Sequence, residues 1–128
     1  MKKIFLLIFI FLHFHSVSLA KNLKFSKIAS LDKPWGSSFI SNDEIIITEK
    51  SGKIKIVNIL NGNVAEIKHN LNFLEYGQGG LLDILYKDNF IYVSYTENRA
   101  NWKTSTSIAK AKLDRQNLLF KNIFQANP

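Results

Sequence analysis

An all-β chain built from a repeated four-stranded antiparallel unit is predicted by three observations. Short β-branched or alternating runs recur along the chain, turn dipeptides such as Ser51-Gly52 and Asn61-Gly62 separate them, and the pattern restarts once. The two beginnings lie about 45 residues apart. No segment carries the 3.6-residue period of an amphipathic helix.

Pro34-Trp35-Gly36 opens the first run, which extends through Ile40, and Asn42-Asp43 makes the turn after it. Residues 44–50 (EIIITEK) are β-branched and apolar at their centre, as a buried strand requires. After Ser51-Gly52, residues 53–59 (KIKIVNI) begin by alternating lysine with isoleucine, one wet face against one buried face. Asn61-Gly62 is a strong hairpin signal, and 64–68 follow as a fourth strand. The second unit starts after Gly79-Gly80 with 81–86 (LLDILY), turns at 87–89, and continues with 90–96 (FIYVSYT). A longer polar loop is expected from Glu97 to about Thr106, then strands over 107–113 and 118–124.

Four antiparallel strands repeated at this spacing describe the blades of a β-propeller. The reading is therefore a first blade over about 31–68 and a second over about 79–125. A ring needs about 4–8 blades, so the propeller is expected to be incomplete. A small β-sandwich or open barrel complete within residues 21–128 is the alternative. The end of the chain favours the fragment, because Gln125-Ala126-Asn127-Pro128 follows an apolar strand with no terminal element.

Residues 1–20 read as a signal peptide. Lys2 and Lys3 supply the positive end, 4–12 are uninterruptedly apolar, and Ser18-Leu19-Ala20 offers a small-residue cleavage site. A spanning helix would need about 20 apolar residues, and His13, His15 and Ser16 interrupt the run. Cleavage after Ala20 and a periplasmic or secreted protein with no stable membrane span are expected. The chain has no cysteine, so neither a disulfide nor a thiolate metal site is available.

With 17 Lys+Arg against 10 Asp+Glu the chain is basic. Only Arg99 and Arg115 are arginines, and the lysines are scattered singly along strands. Arginine carries most bidentate phosphate and base recognition, so no nucleic-acid partner is expected.

One segment suggests a site. Tyr76-Gly77-Gln78-Gly79-Gly80-Leu81-Leu82-Asp83 places three glycines around a glutamine at the entrance to a buried strand. Such a backbone turns tightly and admits a close neighbour. Gln78 offers a donor and an acceptor, suited to a neutral hydroxylated ligand. A plain junction carrying an exposed glutamine has the same sequence. No Gly-Lys-[Ser/Thr] follows, so this is not a phosphate loop. Asp83 either points toward Gln78 or hydrogen-bonds the glycine-rich loop. His69 has no second histidine nearby and reads as a solvated loop residue. Trp35 is expected between blades, and Trp102 as an ordinary, partly exposed aromatic. No Gly-x-Ser-x-Gly nucleophile motif is present.

Residues 31–57 (LDKPWGSSFISNDEIIITEKSGKIKIV) resemble the opening of the glucose/sorbosone dehydrogenase family, especially its aldose sugar dehydrogenase branch. The shared elements are Pro-Trp-Gly, a strand, a short turn, Thr-Glu, then Gly-Lys and an alternating strand. Residues 77–95 (GQGGLLDILYKDNFIYVSY) continue the pattern with a shorter turn than the family has, and Ser105 to Leu113 is similar to its next strand. The resemblance implies a six-bladed propeller that binds pyrroloquinoline quinone (PQQ) and calcium on its axis. It implies oxidation of a sugar at its anomeric hydroxyl, with an electron acceptor as second partner.

Gln78 matches the glutamine that sits beside the sugar in that scheme. The family's catalytic histidine lies in a segment after the stretch matching Gln125-Ala126, beyond Pro128. Its cofactor and metal ligands come from later blades. The resemblance therefore assigns no catalytic, PQQ-binding or calcium-binding residue here, and the chain alone is expected to be inactive. A non-catalytic extracytoplasmic propeller, kept as a binding or interaction module, is the second function class.

Overall fold

A computed structural model describes residues 23–99, 101 and 103–128. The proposed signal peptide and Trp102 lie outside the described residues, which form nine strands and no helix. None of them therefore belongs to a helix long and apolar enough to cross a membrane.

The strands are β1 (Pro34–Phe39), β2 (Glu44–Glu49), β3 (Ile54–Asn58), β4 (Val64–His69), β5 (Leu81–Lys87), β6 (Phe90–Asn98), β7 (Thr104–Lys112), β8 (Asn117–Leu118) and β9 (Lys121–Gln125). They make two sheets, ordered β1-β2-β3-β4-β8 and β5-β6-β7-β9. Every neighbouring pair is antiparallel except β4 with β8, which run parallel. Short turns join β1 through β4 and β5 to β6, as a meander requires.

Alternation decides which side chains meet. Ile46 pairs with Ile56, and Thr48 with Ile54, on the face of the first sheet turned toward the second. The second sheet answers with Ile91, Val93, Tyr95, Ala109 and Ala111, all buried in one cluster with Ile46, Ile54 and Ile56. Backbone polar groups at the junction are also satisfied. Thr48 accepts from the Gly36 N–H at 3.0 Å and donates to the Leu82 carbonyl of the second sheet. Ser38 accepts from the Tyr86 N–H at 3.0 Å. Gly36 has no side chain because Asp83 leaves no room, its Cα lying 2.7 Å from where a Cβ would stand.

Ser94 repeats in β6 the role of Thr48 in β2, accepting from the first-strand N–H of its own sheet (Asp83, 3.1 Å). By register, Ser94 lies on the face turned away from the first sheet, beside the Leu85–Tyr92 and Ile108–Phe124 pairs. Leu85 and Phe124 are about half exposed there, as are Trp35 and Phe39 on the outward face of the first sheet. Two stacked sheets with apolar outer faces, each built on consecutive antiparallel strands, form part of a propeller, not a closed barrel or sandwich.

The structure corrects two expectations about elements. The expected polar loop from Glu97 to Thr106 is strand at both ends, because Glu97 pairs with Ser105 and Asn98 with Thr104. The expected strand over 118–124 is split between sheets. Leu118 is fully buried and adds to β4, and only Lys121–Gln125 joins β7. Phe120 holds the crossing: its N–H donates to Asn70 Oδ1 at 2.8 Å, and the Asn70 amide donates back to its carbonyl at 3.2 Å.

Candidate functional site

The glycine-rich segment is the entrance from the first sheet to β5. The Gly79 N–H donates to the Tyr76 carbonyl at 2.7 Å, closing a tight turn with Gly77 and Gln78 at its tip. Gly77 has φ 54°, and Gln78 is not in the left-handed region, the pattern of a turn whose first central residue must be left-handed. Gly80, at φ 143°, is buried against the backbone of Lys50. The segment is then stitched into both sheets: Leu81 N–H to the Lys50 carbonyl at 3.3 Å, and Thr96 N–H to the Gly80 carbonyl at 2.9 Å.

Gln78 is thereby exposed at the rim of an open concavity of about 430 Å³, lined also by Tyr76, Leu82, Thr96, Thr104 and Thr106. The register puts Thr96 opposite Thr106, so the hydroxyls of neighbouring strands share a face. The lining offers amide, phenol and hydroxyl groups and no ionisable carboxylate or ammonium. Such a surface can exchange hydrogen bonds with a neutral polyol.

The structure does not bring Asp83 to Gln78. Its Oδ1 accepts from the neighbouring Ile84 N–H at 2.9 Å, and it lines a smaller cleft with Leu85, Tyr92 and Ser94. The register shift between Leu81 and Ile84 turns it away. Nor is His69 a solvated loop residue. Its Nδ1 accepts from the Leu71 N–H at 3.2 Å, which leaves Nε2–H to donate to the Gly52 carbonyl at 2.7 Å. Its ring packs near Phe73 and Phe120. It is a clip between β4 and the 51–53 turn. Trp35 is 49 % exposed, with the Lys50 ammonium 6.0 Å from its ring centre.

Two carboxylates that sequence reasoning passed over hold the surroundings of this site. Glu49, ending β2, is fully buried. Its Oε1 accepts from the Asp32 N–H at 2.7 Å and from the Lys55 ammonium at 2.8 Å. Burial pushes its carboxyl up, but the Lys55 and Asp32 hydrogen bonds outweigh this and hold it below the usual carboxylate range.

Glu97 ends the alternation of β6. It gathers Arg99 at 2.8 Å, Ser107 at 2.6 Å, Asn122 at 2.9 Å and the Gln125 amide at 2.9 Å. Burial again pushes the carboxyl up, and these donors bring it below its ordinary value. Tyr95 joins the cluster by donating to Asn122 at 2.8 Å, with burial pushing its phenol up. A glutamate on the inward face of a strand, in phase with Val93 and Tyr95, was the available signal.

Comparison with known proteins places these features in a family. The profile described as "Glucose / Sorbosone dehydrogenase" matches residues 31–128. The uncharacterized protein slr1608 of Synechocystis is 31% identical over 104 residues, covering 71% of this chain and 25% of that protein. The aldose sugar dehydrogenase YliI of Escherichia coli is 29% identical over 89 residues, covering 65% of this chain and 24% of that protein.

Among solved structures, the apo form of the soluble aldose sugar dehydrogenase from Escherichia coli superposes with a TM-score of 0.69 at 25% identity, covering 77% of this chain and 31% of that one. The PQQ-bound form of an aldose sugar dehydrogenase from Streptomyces coelicolor gives 0.71 over 81% of this chain and 34% of that one; at 20% identity it speaks to the fold alone. The chain thus spans about a quarter of the length of these curated relatives.

Proposed function

Because this chain belongs to the glucose/sorbosone dehydrogenase family, we propose that it is the N-terminal portion of a PQQ-dependent aldose sugar dehydrogenase in which Gln78 orients the sugar. The reaction of the whole protein would be oxidation of a sugar at its anomeric hydroxyl, for which bound PQQ would supply the two-electron oxidant and an external acceptor would regenerate it. The observation that carries the reading is the exposed Gln78 amide at the rim of a concavity whose other polar groups are hydroxyls. An amide presents a donor and an acceptor side by side, matching a sugar hydroxyl that both gives and takes a hydrogen bond. It is not a base, so its role is orientation.

The described residues do not by themselves fit the cofactors. Among the described residues no three acidic or histidine side chains gather as calcium would need. The concavity holds no arginine to pair with the quinone's carboxylates. We assign those ligands, and the base that takes the sugar proton, to other parts of a longer protein. This chain alone is then inactive.

In that full-length protein, Gln78→Ala is expected to leave folding and PQQ binding intact and lower kcat/KM about 10-fold. One or two neutral hydrogen bonds are worth about 0.5–1.5 kcal/mol each, and a factor of 10 corresponds to about 1.4 kcal/mol. Steady-state kinetics beside a PQQ titration check this. Unchanged kcat/KM removes Gln78 from the sugar site, and lost PQQ binding moves it to the cofactor.

The reading also includes export to the periplasm or beyond. The Lys2-Lys3 start, the apolar 4–12 run and the Ser18-Leu19-Ala20 stretch support it. N-terminal sequencing of the product is expected to begin at Lys21; a product beginning at Met1 contradicts the export reading.

A further inference from the structure

We propose that Lys50 is a positioning residue for Gln78, a tether from the first sheet that fixes the direction of the glutamine side chain. The proposal rests on the reading that Gln78 meets the sugar. Gln78 lies between Gly77 and Gly79, the residue type with the widest backbone freedom. A turn flanked in this way holds its tip residue only loosely unless something outside the turn fastens it.

Lys50 fastens it at three points. Its ammonium donates to the Gly77 carbonyl. Its backbone carbonyl accepts from the Leu81 N–H at 3.3 Å. Its Cγ lies 2.9 Å from where a Cβ on Gly80 would stand, so the aliphatic stem fills the space that Gly80 leaves open. Lys50 is itself anchored, its N–H donating to the Lys33 carbonyl at 3.0 Å.

The first contact is the informative one. The Gly77 carbonyl and the Gln78 N–H belong to one planar peptide unit. An ammonium that fixes the carbonyl therefore fixes the plane from which the Gln78 Cα and side chain project. The concavity lies beside β6 and β7 of the second sheet, while the tether comes from the end of β2 in the first. Lys50 thus makes the aim of Gln78 depend on the junction between the sheets, an arrangement that neither sheet contains alone.

The test is a double-mutant cycle in the full-length protein, combined with amide hydrogen exchange. Lys50→Met, which keeps the stem and removes the ammonium, is expected to speed exchange of the Gly79 amide about 10-fold while the β5–β6 ladder keeps its protection. It is expected to lower kcat/KM for an aldose about 3- to 10-fold, and to have no further effect when Gln78→Ala is already present. Lys50→Arg should restore both. Should Lys50→Met fail to fold, Lys50→Leu, which also lacks a donor, gives the same readouts.

Unchanged Gly79 exchange overturns the tether. An equal kinetic loss in the Gln78→Ala background also overturns the proposal, since Lys50 would then act without Gln78. A kinetically silent Gln78→Ala beside accelerated Gly79 exchange places the failure in the sugar contact and leaves the tether standing.

Discussion

Replacing Glu49 by alanine is expected to cost about 3 kcal/mol of stability, the lower end of the cost of breaking a buried ion pair by removing one partner. The carboxylate is fully buried, and the Lys55 side chain beside it is only 16% exposed. Without Glu49 the ammonium loses its charge partner and the Asp32 N–H loses its acceptor. The lower end applies because Lys55 keeps some access to water.

The exposed Lys33–Glu75 pair is the control: at 63% and 35% exposure, Glu75→Ala should change stability by less than about 1 kcal/mol. Urea unfolding at neutral pH distinguishes the two, and a Glu49→Ala loss below about 1 kcal/mol would contradict the burial argument. The same carboxylate predicts acid sensitivity. The folded-state values of Glu49 and Glu97 are lowered, so their contribution is fully present above an unfolded value of about 4.3 and is lost as pH falls through the lowered values. Glu49→Gln should flatten that acid limb.

Gly80→Ala is expected to destabilise the chain by about 2–6 kcal/mol, combining strain of about 1–3 kcal/mol at an unfavourable φ with overpacking of similar size. At φ 143° an L side chain is disfavoured, and the new Cβ would be driven into the Lys50 carbonyl, which is backbone and cannot swing aside. Gly77 gives the contrast. It too is left-handed, at φ 54°, but nothing lies within 4 Å of its would-be Cβ. Gly77→Ala should therefore cost only the backbone term, about 1–2 kcal/mol. Equal losses at the two positions would show that the close approach at Gly80 carries no energy. Unfolding midpoints of the two variants, measured side by side, decide it.

Most of the strands were legible because their signals are local. The 44–50 run is β-branched, 53–59 begins by alternating, and Ser51-Gly52 and Asn61-Gly62 mark turns without help from elsewhere in the chain. What was misread depended on distant partners. Glu97 looked like the start of a loop because the Asn122 and Gln125 amides that satisfy it come from β9. Leu118 and Phe120 looked like the continuation of a strand. Nothing nearby in sequence shows that Asn70, fifty residues earlier, brackets Phe120 and draws the chain back to the first sheet.

The site divides in the same way. Three glycines around Gln78 announced a tight, exposed turn, and the turn is there. Asp83 was misjudged because one register shift in β5 reverses the face on which a residue lies. Lys50 escaped notice because its target, a single carbonyl on Gly77, has no side-chain signature.

The central claim, that this chain carries the sugar-orienting part of a PQQ-dependent aldose dehydrogenase, is tested most directly by assaying the full-length protein reconstituted with PQQ and calcium. With an artificial acceptor, the account predicts aldose-dependent dye reduction that requires PQQ and is weakened about 10-fold by Gln78→Ala. A folded full-length protein that binds PQQ yet reduces no dye with any aldose would contradict the claim, and would make the propeller a binding module.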